Sequence, residues 1–258
     1  MRPLEHFPDI SGLRAVLMDI DDTLTLDGKL VPEALVGLAR LREAGLLVIP
    51  VTGRPAGWCD LIARQWPVDA VVGENGAFAL LEDDGRLEMV VHPDAADEER
   101  RERLARLSKA ILRAVPGARL AKDQPYRRFD LAIDFREEPP DLGLEAAEAI
   151  RKMFLDAGAS AKISSIHVNG WFGSYDKLSM VRRLLTSYFS IDVDTQRDDV
   201  VFVGDSPNDA PMFAHFPHAV GVANVRDFGD RVHPKPAFVT ERRGGYGFAE
   251  LVARILER

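Results

Sequence analysis

The sequence predicts an α/β fold: a doubly wound parallel sheet between helices, with a smaller α+β unit inserted into it. Three observations predict it. Short, mainly apolar runs at Ala15–Met18, Leu46–Val51, Val68–Val72 and Val200–Val203 sit next to helical patterns in the sequence, the alternation that builds a parallel sheet with right-handed crossovers. Between about residues 80 and 172 this gives way to a hairpin signal and half-buried alternating strands. Polar residues gather where the apolar runs stop, the edge at which open α/β sheets take ligands.

The first run ends in Asp19-Ile20-Asp21-Asp22-Thr23-Leu24-Thr25. Strand alternation puts Asp19 and Asp21 on one side and Ile20 on the other. Two carboxylates that close persist only with a bound cation or a shared proton, and grouped oxygen ligands suit a hard cation such as Mg²⁺. Asp27-Gly28 then makes a turn. Pro32 to Ala44 reads as a helix, with Pro32 at its first position, Leu35, Leu38 and Leu41 on one face, and Gly45 as its stop. Leu46 to Val51 has the continuous apolar character of a central strand and ends in Thr52-Gly53-Arg54-Pro55. A helix over Ala56–Trp66 follows, then a strand over Val68–Val72 ending in Gly73-Glu74-Asn75-Gly76.

Phe78–Leu81 and Leu87–Val91 flank Asp83-Asp84-Gly85, a hairpin signal. Helices are expected over Glu98–Val115 and Leu142–Ala157, and strands over Phe129–Phe135 and Lys162–Val168. The expected division is residues 1–82 and 173–258 for the core and 83–172 for the insert. From Lys177 the first pattern returns. Leu178–Phe189 is helical, and Val200–Val203 is a strand ending in Gly204-Asp205-Ser206-Pro207-Asn208-Asp209. Ala219–Val222 is a further strand, Gly244–Gly247 reads as a flexible loop, and Phe248–Leu256 as the closing helix.

The totals exclude several classes. In 258 residues, a 46% hydrophobic and 29% charged composition is that of a globular chain. A net charge of −8 argues against a nucleic-acid partner, though not against a small anion held by a metal and a few basic groups. One cysteine, Cys59, cannot form an internal disulfide, which suits the cytoplasm; its helical surroundings mark it as packing. Residues 1–13 lack the apolar stretch of a secretory signal, and no run is long enough to span a bilayer.

Four polar sets now stand at comparable places: Asp19 with Asp21, Thr52, Lys177 at a helix start, and Asp205 with Asp209. Their order and spacing resemble the haloacid dehalogenase superfamily. Asp19-Ile20-Asp21-Asp22-Thr23 looks like its first motif, Thr52-Gly53-Arg54 its second, Lys177 its third and Gly204-Asp205-Ser206-Pro207-Asn208-Asp209 its fourth. The insert, and Glu74-Asn75-Gly76-Ala77 before it, resemble the Cof-type, sugar-phosphatase branch (subclass IIB). The resemblance implies a Rossmann-like core with a C2 cap of subtype B, and a Mg²⁺-dependent phosphatase working through an aspartyl-phosphate. On that pattern Asp19 is the nucleophile and Asp21 the acid/base. Thr52, Gly53 and Lys177 hold the phosphoryl group. Asp19, Asp205 and the backbone carbonyl of Asp21 hold Mg²⁺, and Asp209, Asn208 and Arg54 support them. The residues themselves agree with these roles: a carboxylate nucleophile splits a very slow hydrolysis into two displacements, and a carboxyl two residues on can protonate the leaving alkoxide.

Specificity is expected from the insert, where Arg127, Arg128, His167 and Asn169, with Asn75 before it, are candidates to face the cleft. The expected substrate is a small phosphorylated metabolite such as a sugar phosphate or phosphorylated glycoside, and the protein a monomer or homodimer without nucleic-acid or membrane partners. Two rivals remain: a phosphomutase of the phosphomannomutase type, and a catalytically silent ligand sensor of the same fold. Asp21 disfavours the sensor, since a pure binder needs no proton donor beside its nucleophile. It also disfavours dehalogenation, which offers no leaving oxygen to protonate.

Overall fold

A computed structural model describes residues 1–96 and 99–257. Among them, six parallel strands form the main sheet, in the order Arg2–Pro3, Phe238–Val239, Val220–Gly221, Val200–Gly204, Ala15–Met18 and Leu47–Pro50. The central strands are buried on both faces, and their alternation divides the core in two. Val16, Met18, Val201 and Val203 pack with Leu38 and Leu41 of the Pro32–Glu43 helix and with Phe248, Leu251 and Val252 of the Gly244–Leu256 helix. Ala15, Leu17, Val200 and Phe202 pack with Met180 and Leu184 of the Lys177–Phe189 helix and with Met212. Helices on both faces of a parallel sheet make the doubly wound α/β class.

Register decides where the site falls. Met18 stands opposite Val203 on one side and Pro50 on the other. The residues that leave these strands next, Asp19, Gly204-Asp205 and Val51-Thr52, therefore emerge together at the carboxyl edge. Val51 also bridges in parallel to Val72, which brings Ala70–Gly73 alongside.

A second sheet is antiparallel, in the order Ser160–Ile163, His167–Trp171, Leu131–Asp134 and Arg119–Leu120. The helices Arg100–Ala114 and Gly143–Asp156 contribute Leu104, Ile111, Ile150 and Phe154 to an apolar cluster with Ile133 and Val168 of this sheet and with Phe135 just past its strand. Strand alternation sends His167 and Asn169 to the side opposite Val168.

Several expectations are corrected. The hairpin, Phe78–Asp83 and Arg86–Val91, pairs with Ala70–Gly73 and not with the second sheet. The strand expected over Lys162–Val168 is two strands, because Ser164 Oγ accepts the Ile166 and His167 N–H groups and closes a turn between them. The strand expected from Phe129 starts at Leu131, since the Phe129 and Asp130 N–H groups go to the Glu74 carboxylate instead. Gly244–Gly247 is the first turn of the closing helix, not a loop. Its glycines admit close packing: a Cβ on Gly245 would lie 2.3 Å from Val31 Cγ2 and 2.4 Å from the Leu24 carbonyl oxygen. The helix expected from Glu98 runs Arg100–Ala114, and Glu98 lies outside the described residues, as does residue 258. No helix among the described residues is long and apolar enough to cross a membrane.

Candidate active site

Asp19, Asp205 and Asp209 converge at the carboxyl edge. One carboxylate oxygen from each lies within 4.8 Å of the others, and all three residues are buried. Lys177 begins its helix beside them, capped by Asp176, whose side chain accepts the Ser179 N–H. Its ammonium donates to Asp19 Oδ1 at 2.9 Å and to Asp209 Oδ1 at 2.7 Å. Gly76 backs this helix start: it has a φ of 103°, and a Cβ there would lie 2.0 Å from the Asp176 carbonyl oxygen. Only glycine combines that conformation with that approach.

The cluster carries an excess of negative charge. Burial, more than the neighbouring carboxylates, pushes Asp19 up to about 7 even with Lys177 beside it. Burial, then Asp19 and Asp209, pushes Asp205 well up. Burial acts against the Lys177 ammonium, but Asp19 and Asp209 hold it charged. Three buried carboxylates facing one ammonium are relieved by a cation. Oxygens held by one Mg²⁺ at about 2.1 Å lie up to about 4.2 Å apart, the scale of this cluster. Asp209 is the most committed of the three, since its Oδ2 also accepts the Asp205 and Ser206 N–H groups. Asp19 and Asp205 accept fewer hydrogen bonds from the protein. Thr23 Oγ1 donates to Asp205 Oδ1 at 3.2 Å, and Asn224 Nδ2 to Asp205 Oδ2 at 3.4 Å. The residues fit a divalent cation.

Asp21 stands apart from the cluster. Arg54 Nε donates to Asp21 Oδ1 at 3.0 Å and to Oδ2 at 2.8 Å, and Nη2 donates to Oδ1 at 2.7 Å. The guanidinium lies over the Trp58 ring, 4.2 Å from its centroid, and continues to Glu137 at 2.9 Å and Asp123 at 3.2 Å. Both acids flank the Leu131–Asp134 strand of the second sheet in sequence. Thr52 is fully buried, its hydroxyl oxygen accepting the Arg54 N–H at 3.0 Å.

The second sheet faces these groups. A chamber of about 10 Å³ is lined by Asp19, Asp21, Gly53, Arg54 and Asn208 from the core edge and by Ser164, Ile166, His167 and Asn169 from the other side. Next to it a cleft of about 410 Å³ is lined by Asp21, Asp22, Arg54, Glu137, Asp205, Asn224 and Arg243, among others.

The structure thus brings together Asp19, Asp21, Gly53, Arg54, Asn208, His167 and Asn169, with Lys177, Asp205 and Asp209 joined to Asp19. Arg127 and Asn75 are placed differently from the expectation that they face the cleft. The Arg127 side chain is wholly buried, bonded to Asp123, to Asp130 and to the Gly53 carbonyl oxygen. Asn75 is buried and donates to Asp130. Arg128 gives its backbone N–H to Glu74 and its guanidinium to the Met89 sulfur. Sequence reading missed Asp123, Glu137 and Asn224, whose neighbours in the sequence carry no motif or periodicity that marks them.

Known proteins resemble this chain in sequence and in fold. The family of haloacid dehalogenase-like hydrolases matches residues 16–110. Over those residues the chain is similar to the haloacid dehalogenase-like hydrolases. A phosphoglycolate phosphatase of Methanothermobacter thermautotrophicus is 28% identical over 252 residues, covering 95% of this chain and 99% of that one. Among solved structures, protein 0175 of Thermoplasma acidophilum superposes with a TM-score of 0.71 at 21% identity, covering 94% and 98% of the two chains. A subclass IIB sugar phosphatase superposes with a TM-score of 0.61 at 15% identity, covering 88% and 93%. The hydrolase therefore has the fold of the Cof-type branch.

Proposed function

We propose that this hydrolase is a Mg²⁺-dependent phosphatase of a small phosphorylated metabolite, acting through an aspartyl-phosphate. The observation that carries the reading is Lys177 bonded at once to Asp19 and Asp209, with Asp205 completing a buried acidic cluster. Asp19 attacks phosphorus as the P–O bond to the alcohol breaks, and Asp21 gives its proton to the departing oxygen. Water then attacks the aspartyl-phosphate, the Asp19–phosphorus bond breaks, and Asp21 takes the water's proton. Lys177, the Thr52 hydroxyl and the Gly53 backbone hold the phosphoryl oxygens, where fixed charge and dipoles act most strongly. Asp19, Asp205 and the Asp21 carbonyl hold the metal, which neutralises charge between nucleophile and phosphate when bound.

The four-stranded unit within residues 83–172 serves as the cap. Its Ser164–Asn169 segment closes the chamber above Asp19 to about 10 Å³, about the room of one water. The chamber must therefore widen to take a phosphoryl group, with the larger cleft beside it as the approach, and closure excludes bulk water during the reaction. Relatives named phosphoglycolate phosphatase and sugar phosphatase support a small phosphate monoester as substrate. The buried, free thiol of Cys59 suits a reducing cytoplasm.

Phosphate release from a panel of phosphorylated sugars, glycosides and 2-phosphoglycolate, with Mg²⁺ and with EDTA, tests this reading. Asp19→Asn should abolish release, and Asp21→Asn should reduce it severely. Appreciable turnover by Asp19→Asn sinks the covalent route. Isomer formation without free phosphate would make the protein a mutase.

A further inference from the structure

The geometry points to Asp123 and Glu137, both on the cap, as positioning residues that govern Asp21 through Arg54. The inference rests on the phosphatase reading and concerns the step in which the alcohol departs.

Arg54 occupies both oxygens of Asp21. Arg54 takes three of the roughly four acceptor sites of this carboxyl group, and a leaving alcohol needs an oxygen clear of the guanidinium. For Asp21 to deliver a proton, the guanidinium must give up at least one of these bonds. Its buried N–H groups then need other acceptors, because unpaired buried donors are costly. The cap supplies two. Glu137 Oε1 accepts from Nη2, the same nitrogen that serves Asp21 Oδ1, at 2.9 Å against 2.7 Å. Asp123 Oδ2 accepts from Nη1 at 3.2 Å.

Each cap acid is itself anchored. Glu137 Oε2 is 2.8 Å from His167 Nε2. Asp123 accepts from Arg127 Nε and Nη2, both at 3.0 Å. Arg127 in turn reaches the Gly53 carbonyl oxygen at 2.8 Å. The acceptors are thus preset wherever the cap is seated on the core, and Arg54 is divided between the core acid and the cap acids. A seated cap thus gives Arg54 the acceptors it needs to let go of Asp21, and an open cap leaves Arg54 to Asp21 alone.

Leaving-group chemistry tests this. An alkyl phosphate needs a proton on its departing oxygen, whereas 4-nitrophenyl phosphate expels a stable phenolate without one. The constant to read is kcat/KM, which covers steps only up to departure of the alcohol. The ratio of kcat/KM for glycerol 3-phosphate over 4-nitrophenyl phosphate should fall at least fivefold in both Glu137→Gln and Asp123→Asn. A general loosening of the cap, or partial unfolding, lowers both substrates together and leaves the ratio alone. A fall of less than fivefold in either variant overturns the proposal. If the parent protein hydrolyses neither ester in Mg²⁺, it is the phosphatase reading that has failed.

Discussion

Lys177 donates to Asp19 at 2.9 Å across 158 residues of sequence, and to Asp209 at 2.7 Å. It is the cation on which three buried carboxylates depend. Lys177→Met should therefore be more damaging than the loss of an ordinary hydrogen bond. Removing one partner of a buried ion pair costs about 3–5 kcal/mol, and removing a charge from the transferring phosphoryl group costs a further factor of about 10²–10³ in kcat. Urea unfolding and phosphate-release kinetics check both. A stable, active variant would mean that Lys177 is neither.

Metal should stabilise the fold, not only support turnover. With Asp19 and Asp205 pushed up by burial and by neighbouring carboxylates, Asp209 among them, a bound divalent cation removes a repulsion that the empty cluster retains. At a Mg²⁺ concentration of about 100 times Kd the gain is about 2.7 kcal/mol, a rise in Tm of roughly 5–10 °C for a chain of this size. Thermal melts in Mg²⁺ and in EDTA should show it, and Asp205→Asn should remove most of it. Equal melting temperatures would exclude the cluster as a metal site.

The strand-end residues were readable because each lies next to its own structural signal. Asp19 and Asp205 follow apolar strands, and Lys177 opens a helical pattern. Parallel register, with Met18 opposite Val203, then does the rest. The Arg54 partners had no such signal. Asp123 and Glu137 are 69 and 83 residues away from it, and in sequence they look like solvated acids of polar loops. Glu74 was readable as part of a motif but not in its role. Its side chain accepts the N–H groups of Ala56, Arg128, Phe129 and Asp130, taking donors that strand periodicity would have assigned to a sheet. Side-chain carboxylates that satisfy distant backbone leave no periodicity behind.

Glu137 makes stability depend on acid pH. Burial pushes its carboxyl up, but the His167 hydrogen bond and the Arg54 charge outweigh it and hold the group at about 2. A folded-state value below the unfolded one means that the unfolded chain binds the proton more readily. The contribution is full above about pH 4.5 and is lost as pH falls toward 2; it amounts to at most ~3 kcal/mol. Urea melts of the parent and of Glu137→Gln should therefore differ at pH 6 and converge near pH 2. A difference that stays constant with pH would show that the Glu137 charge contributes nothing.

Arg127 supplies the last test, because two roles for it predict opposite signatures. Had it faced the cleft, Arg127→Met would raise KM and leave the fold untouched. Its side chain instead has no exposure and joins Asp123, Asp130 and the Gly53 carbonyl oxygen, tying the cap to the loop that carries Thr52. Arg127→Met strands two buried carboxylates and an acceptor, and should cost about 3–5 kcal/mol. Arg127→Lys keeps the charge but cannot span three partners with a planar fork, so it should recover only part of that stability. Because Asp123 would also lose its anchor, surviving Arg127→Lys enzyme should favour 4-nitrophenyl phosphate over glycerol 3-phosphate more strongly than the parent does. A variant with parental Tm and a raised KM would return Arg127 to the substrate.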